Sequence, residues 1–196
     1  MGPCHPMGNR RHWLCDDPWG CDCMMGKRSD FARRPMDDYP TIDTRAVVPL
    51  LPFVEDLQFA EPCAGDGRLI AMLENEGLRC CYRGDIRDGL DAMAETTFGG
   101  CDVIITNPPW TRDILHPMIR HFQSVAPTWL LFDADWAHTK QSAPYLDQCS
   151  HIVAVGRLKW IEDSRHTGKD NCAWYRFDAR HSGGAQFVGR QEQVAA

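Results

Sequence analysis

No stretch of this chain approaches the roughly 18 consecutive apolar residues that a membrane helix requires. The opening residues, "MGPCHPMGNRRHW", also lack the apolar core of a secretory leader. These absences lead to the expectation of a soluble, cytoplasmic protein with no membrane partner. Positive charge is short as well: 21 Lys and Arg stand against 27 Asp and Glu, a net charge of −6. That excludes a basic signature for nucleic acid across the whole chain, so any such binding has to be local. The paired C-x-x-C spacing of a zinc ribbon is missing. So are the six-residue glycine fingerprint of dinucleotide sites and the lysine-bearing phosphate loop, which removes the usual grounds for a NAD or nucleoside triphosphate site. Internal repeats are absent.

What is present suits one domain of ordinary size with a small appendage: 196 residues, 43% of them hydrophobic. Residues 1–38 are rich in Cys, Arg, Pro, Asp and Gly and show little periodicity, so they read as an irregular Cys-rich N-terminal appendage. Four of the ten cysteines fall there, Cys4, Cys15, Cys21 and Cys23. They could form a structural zinc site, with His5 and His12 as substitute ligands, and a metal would order a segment that cannot build a core alone. A reduced, cysteine-rich arm is the equal alternative. Between Met1 and Arg34 six cations face four acids, a locally basic arm consistent with nucleic-acid contact.

Beyond the appendage, strands and helices alternate. Residues 39–56 place Ala46, Val47, Leu50, Leu51 and Val54 at helical spacing, with Pro49 and Pro52 positioned to kink or split the helix. "LQFA" (57–60), "RCCYRGD" (79–85), "DVII" (102–105), "TWLLF" (128–132), "HIVAV" (151–155) and "CAWYRF" (172–177) read as strands. "GRLIAMLENEG" (67–77) and "DILHPMIRHFQSV" (113–125) read as amphipathic helices. Such alternation predicts an α/β fold whose mostly parallel sheet has helices on both faces. Residues 179–196 read as a loose C-terminal tail.

Two stretches carry chemistry. "EPCAGDG" (61–67) joins the first strand to the first helix, and Gly65 and Gly67 let the backbone turn sharply and come close to a ligand. Glu61 at the strand tip is a poor neighbour for phosphate and suits a cationic ligand better. "TNPPW" (106–110) ends the apolar run "DVII", where prolines must stop a sheet ladder. A strand stop does not by itself require an asparagine before the prolines or a tryptophan after them.

Together these stretches resemble the class I S-adenosylmethionine-dependent methyltransferases. "EPCAGDG" is similar to their first motif, and "NPPW" to the Asn-Pro-Pro-aromatic motif of the amino-methyltransferases, above all those that act on adenine in DNA. The resemblance covers roughly residues 39–177. It implies a Rossmann-like domain over 39–178, with an antiparallel C-terminal hairpin, and S-adenosylmethionine as cofactor. It implies that Glu61, Pro62, Ala64, Gly65 and Gly67 hold the cofactor. Asp85, with Ile86 beside it, ends the second strand where the family binds the ribose; Asp88 and Asp91 are nearby alternatives. "YPT" (Tyr39, Pro40, Thr41) resembles the motif that closes over the methionine end. Asn107 and the Pro108 carbonyl would accept hydrogen bonds from the target amine, Pro109 would stiffen the turn, and Trp110 would stack on an extruded base.

One departure from the family pattern stands out. About sixteen residues (86–101) separate the second strand from the strand bearing Asn107, barely enough for a parallel crossover. A helix or strand usual in the family is therefore expected to be reduced or missing.

Fewer than ninety residues follow "NPPW", which leaves no room for a large reader domain. The loop "RLKWIEDSRHTGKDN" (157–171) interleaves Arg157, Lys159, Arg165 and Lys169 with Trp160, a combination suited to a phosphate backbone and a base, though an ordinary solvated hairpin loop has the same composition. The expected partner is DNA, read with short or relaxed sequence preference. RNA bases or protein glutamine are alternative acceptors, and an inactive nucleic-acid-binding protein on the same scaffold is a further one.

Overall fold

The computed structural model describes residues 39–190. The cysteines proposed as zinc ligands lie outside them. Among the described residues, no group of three or more His, Cys, Asp or Glu could hold a metal ion, and no helix is long and apolar enough to cross a membrane.

The chain forms a seven-stranded sheet. Its elements are β1 (Gln58–Glu61), α1 (Arg68–Asn75), β2 (Arg79–Arg83), β3 (Val103–Thr106), α2 (Arg112–Val125), β4 (Thr128–Asp133), α3 (Ala143–Leu146), β5 (Cys149–Gly156), β6 (Cys172–Phe177) and β7 (Gln186–Val188). The strand order is β2-β1-β3-β4-β6-β5-β7. The first four pair in parallel. β6 runs antiparallel to both β4 and β5, and β7 lies parallel along β5.

From β1 the chain first passes to β2 on one side, then returns across β1 to β3 on the other. The order therefore reverses between β1 and β3. Ligands of open parallel sheets bind at such a switch point, beyond the carboxyl ends of the strands. Glu61 ends β1 and Asn107 directly follows β3, so both chemical stretches sit there.

Two cores flank the sheet because side chains alternate between faces along each strand. Leu69, Ile70 and Leu73 of α1 join Phe59, Ile105, Trp129 and Trp174 on one face. Leu115, Met118, Ile119 and Phe122 of α2 join Ala60, Ile104, Leu130 and Tyr175 on the other. Pro117 lies within α2 on its exposed side.

Residues 39–56 do not form the split helix that their spacing suggests. They form two short 3-10 turns, Thr44–Ala46 and Leu51–Phe53. Pro49 and Pro52 lack the amide hydrogens that an α-helical ladder would need, yet Ala46, Val47, Leu50 and Val54 still turn inward and are buried. Trp174 ties this segment to the sheet: its indole Nε1–H donates to the Ala46 carbonyl at 2.7 Å, inside the core. Trp174→Phe would leave that carbonyl unpaired and open a gap, so a loss of about 2–3 kcal/mol is expected. Urea unfolding should show a lower midpoint with an unchanged slope.

The crossover from β2 to β3 contains no α-helix, only 3-10 turns at Ile86–Asp88 and Phe98–Gly100. β2 is consequently an edge strand with both end residues exposed. The tail is not wholly loose, since Gln186–Val188 pairs with β5.

Candidate functional site

The glycine turn is built from β1 outward. After Glu61 the backbone turns so that Ala64 N–H donates to the Gly84 carbonyl at 2.9 Å and Gly67 N–H to the Ala64 carbonyl at 2.8 Å. Gly65 and Gly67 adopt φ of +55° and +84°, a left-handed geometry that L side chains resist. A Cβ on Gly65 would also come within 3.2 Å of the Arg87 guanidinium. α1 then starts directly at Arg68.

Two carboxyl groups lie under this turn, shifted in opposite directions. Glu61 is buried, and loss of solvent pushes its carboxyl up to about 8. The Cys63 N–H, which donates to it at 3.0 Å, pulls the other way. The adjacent Thr106 hydroxyl also pulls it down, without closing a hydrogen bond of normal length. The nearby Asp85 charge adds a smaller upward push. Asp85 is buried too, but the Arg87 backbone N–H and guanidinium and the Gly65 N–H donate to it at 2.9, 3.0 and 2.7 Å. Those bonds outweigh burial and hold its carboxyl below the usual range. Asp88 and Asp91 are exposed, and Ile86 presents a 60% exposed side chain beside Asp85.

Across the switch point, Pro108 is buried while Asn107, Pro109 and Trp110 are half-buried. The Asn107 amide is held at both ends. Its Nδ2 donates to the Tyr39 carbonyl at 2.9 Å and to the Thr41 hydroxyl at 3.2 Å. Its Oδ1 accepts from the Trp110 indole N–H at 3.1 Å. "YPT" thus braces the Asn-Pro-Pro turn, with Thr41 buried beneath it.

The loop after β5 closes the far side. Trp160 packs edge-on against Trp110, ring centroids 5.6 Å apart, and Lys159 N–H donates to Asp43 at 2.9 Å. Asp43 is itself bridged to Arg45, and loop residue Glu162 to Arg68. A cleft of about 800 Å³ opens here between the Ile42–Arg45 segment, Arg68 and residues 159–167. Lys159 and Arg165 line it; Arg157 and Lys169 do not. Of the five loop residues singled out in the sequence, Lys159, Trp160 and Arg165 therefore lie beside the candidate site.

Sequence reading missed three contributors. Arg87 covers Asp85, Asp43 anchors the loop, and the buried Thr106 hydroxyl lies next to Glu61 with no hydrogen-bond partner among the described residues. Arg87 and Asp43 form no part of a spacing pattern, and Thr106, although inside the 106–110 stretch, shows its place beside Glu61 only in the fold.

No protein-family model matches the chain, and no curated protein sequence matches it. Solved structures do resemble its fold. A protein from Listeria monocytogenes, provisionally assigned as a class I S-adenosylmethionine-dependent methyltransferase, superposes with a TM-score of 0.50 at 12% identity, over 80% of this chain and 67% of that one. A provisional RNA methyltransferase from Pyrococcus horikoshii gives 0.40 at 14% identity, over 69% of this chain and 80% of that one. The precorrin-6y C5,15-methyltransferase from Geobacter metallireducens gives 0.39 at 16% identity, over 69% and 86%. The seven-stranded sheet, parallel at one side and closed by an antiparallel pair at the other, is the Rossmann-like fold of the class I methyltransferases.

Proposed function

We propose that this chain transfers a methyl group from S-adenosylmethionine to the exocyclic amine of adenine, in DNA, with short or relaxed sequence preference. The observation that carries the reading is the braced Asn107 amide. Its nitrogen is engaged on the protein side and its oxygen is offered to an N–H donor, next to a half-buried tryptophan at the switch point.

The residues present fit the cofactor. The two left-handed glycines leave room for close backbone approach. The Thr106 hydroxyl is a buried polar atom without a partner among the described residues. Two carboxyl groups, Glu61 and Asp85, give the turn an acidic lining suited to a cationic ligand that also carries hydroxyls. In this reading Glu61, Pro62, Ala64, Gly65, Gly67, Asp85 and Ile86 hold the cofactor, together with the Tyr39–Thr41 segment. Bound there, it supplies an activated methyl group.

The remaining work belongs to the protein. The amine of adenine is conjugated with its ring, so its lone pair is a poor nucleophile. Asn107 Oδ1 and the Pro108 carbonyl accept its two N–H bonds, draw the nitrogen toward tetrahedral geometry and aim the lone pair. Pro108 and Pro109 hold those acceptors rigid, and fixed geometry is most of what an activated donor needs. The target amine takes the place of the Trp110 N–H on Oδ1, which leaves the indole to stack on the base, worth about 1–3 kcal/mol. Lys159 and Arg165 in the adjoining cleft suit the phosphates of the same strand.

The test offers the purified protein labelled S-adenosylmethionine with mixed DNA, RNA and a peptide extract, followed by digestion and mass spectrometry. Methyladenine in the DNA is the expected product. Label in RNA or on protein glutamine would keep the mechanism and overturn the substrate. Cofactor binding without transfer to any acceptor would leave a non-catalytic binding protein on this scaffold.

A further inference from the structure

The two prolines fix the backbone around Asn107 but leave one freedom. The terminal torsion of an asparagine side chain is broad and roughly two-fold, and its oxygen and nitrogen ends are nearly the same size. The ends are chemically opposite: one accepts, the other only donates. An amide turned by 180° would present N–H bonds toward an incoming amine that itself offers N–H bonds.

Two contacts discriminate between the two orientations, and a third holds the amide in place. The Tyr39 carbonyl can only accept, so it favours Nδ2 at 2.9 Å and would repel Oδ1. The Trp110 indole can only donate, so it favours Oδ1. The Thr41 hydroxyl can accept or donate, so it does not choose between the ends; 3.2 Å from Nδ2, it takes the second amide hydrogen and fixes the plane of the amide. Thr41 is 4% exposed, so water cannot readily replace that hydroxyl. Among the described residues its hydroxyl contacts Asn107 alone. The indole contact, moreover, is the one that the target amine must displace. During the reaction the Tyr39 carbonyl and Thr41 are the contacts that remain.

We infer that Thr41 holds the plane of the Asn107 amide, in the orientation that the Tyr39 carbonyl selects, and so is a positioning residue for methyl transfer. The inference rests on the proposed reaction, and it assigns Thr41 a task apart from any contact with the cofactor. The lock acts on turnover with both substrates bound, because it sets the direction in which Oδ1 faces the amine.

The experiment compares wild type with Thr41→Ser, which keeps the hydroxyl, and Thr41→Val, which replaces it with a methyl group of the same shape. At saturating cofactor and DNA, Thr41→Val is expected to lower kcat by about 10- to 100-fold, the scale of a misplaced reacting group. Thr41→Ser should restore most of it. An unchanged kcat in Thr41→Val would overturn the lock. So would activity that returns fully when more cofactor is added, or a serine variant as poor as the valine one. If Thr41→Val does not fold, Thr41→Ala removes the hydroxyl without added bulk and takes its place. A second readout needs no acceptor. The Asn107 side-chain NH2 signals in an NMR spectrum, assigned by their loss in Asn107→Ala, should shift and exchange faster with water in Thr41→Val. If the wild type methylates nothing, the proposed function fails while these signals still decide the lock: an unaltered pair in Thr41→Val would sink it.

Discussion

Asn107→Ala is expected to lower turnover by about 10²- to 10³-fold, the usual cost of losing one fixed dipole aimed at a reacting group. Asn107 Oδ1 is one of two acceptors proposed for the target amine, and the other is a backbone carbonyl that no substitution removes. Cofactor affinity should fall less than turnover, because Asn107 braces only the Tyr39–Thr41 part of the proposed cofactor site and not the glycine turn. Stability should fall by about 1–2 kcal/mol, since the Tyr39 carbonyl and the Thr41 hydroxyl both lose their donor. Asn107→Asp is the informative companion. It keeps an acceptor but sets a carboxylate against the Tyr39 carbonyl, so its turnover should lie between wild type and alanine. Single-turnover kinetics with labelled cofactor would separate the chemical step from binding. Equal rates for Asn107→Ala and wild type would remove Asn107 from the reaction altogether.

The ligand-free protein should lose stability as pH rises through the neutral range. Burial lifts the Glu61 carboxyl from an ordinary value of 4.5 to about 8. Between those values the folded chain keeps a proton that the unfolded chain has released, so stability declines with pH across that window. Each tenfold difference in proton affinity between the two states is worth about 1.4 kcal/mol, so the full decline is on the order of 5 kcal/mol. Asp85 contributes in the opposite sense and in acid: its lowered carboxyl adds stability that is lost as pH falls through its folded value. Urea unfolding from pH 5 to pH 9 follows the alkaline decline, an extension into acid follows the other limb, and Glu61→Gln should flatten the alkaline one. A cationic cofactor taken up beside Glu61 favours its ionised form. Binding near pH 7 is therefore expected to release a proton, visible in calorimetry as a heat that depends on the buffer. Alkaline stability that matches wild type in Glu61→Gln would show that Glu61 ionises freely in the folded chain.

The sequence made the centre of the molecule readable and its margins obscure, for physical reasons. β1, the glycine turn and α1 follow one another locally, so period and punctuation are enough to find them. β3 is an apolar run ended by prolines, and the hairpin strands are aromatic and β-branched. The segment before β1 misled because Ala46, Val47, Leu50 and Val54, in and around the 3-10 turns at Thr44–Ala46 and Leu51–Phe53, are nearly the residues that an α-helix would bury. β7 went unseen because three residues flanked by glycines carry no periodic signal. In the candidate site, the two motifs could be read because each is a contiguous stretch at the end of a strand, and the fold places both at the switch point. Their supports could not: Arg87 on Asp85, or Asp43 under Lys159, depend on where distant segments meet.

Those meetings also set when the site can exist during synthesis. The Asn107 amide depends on residues 66 and 68 positions earlier, and Lys159 binds an aspartate 116 positions before it. Trp174 reaches back 128 positions to Ala46. Contacts of such span close slowly, since the chain must meet the loop-closure cost before it gains the contact. A nascent chain that has emerged only as far as "NPPW" holds both motifs but not the loop or the β6 tryptophan that secure the braces. Ribosome-bound intermediates of that length should therefore be unable to carry out the proposed methyl transfer, and competence should arrive only with the last third of the chain.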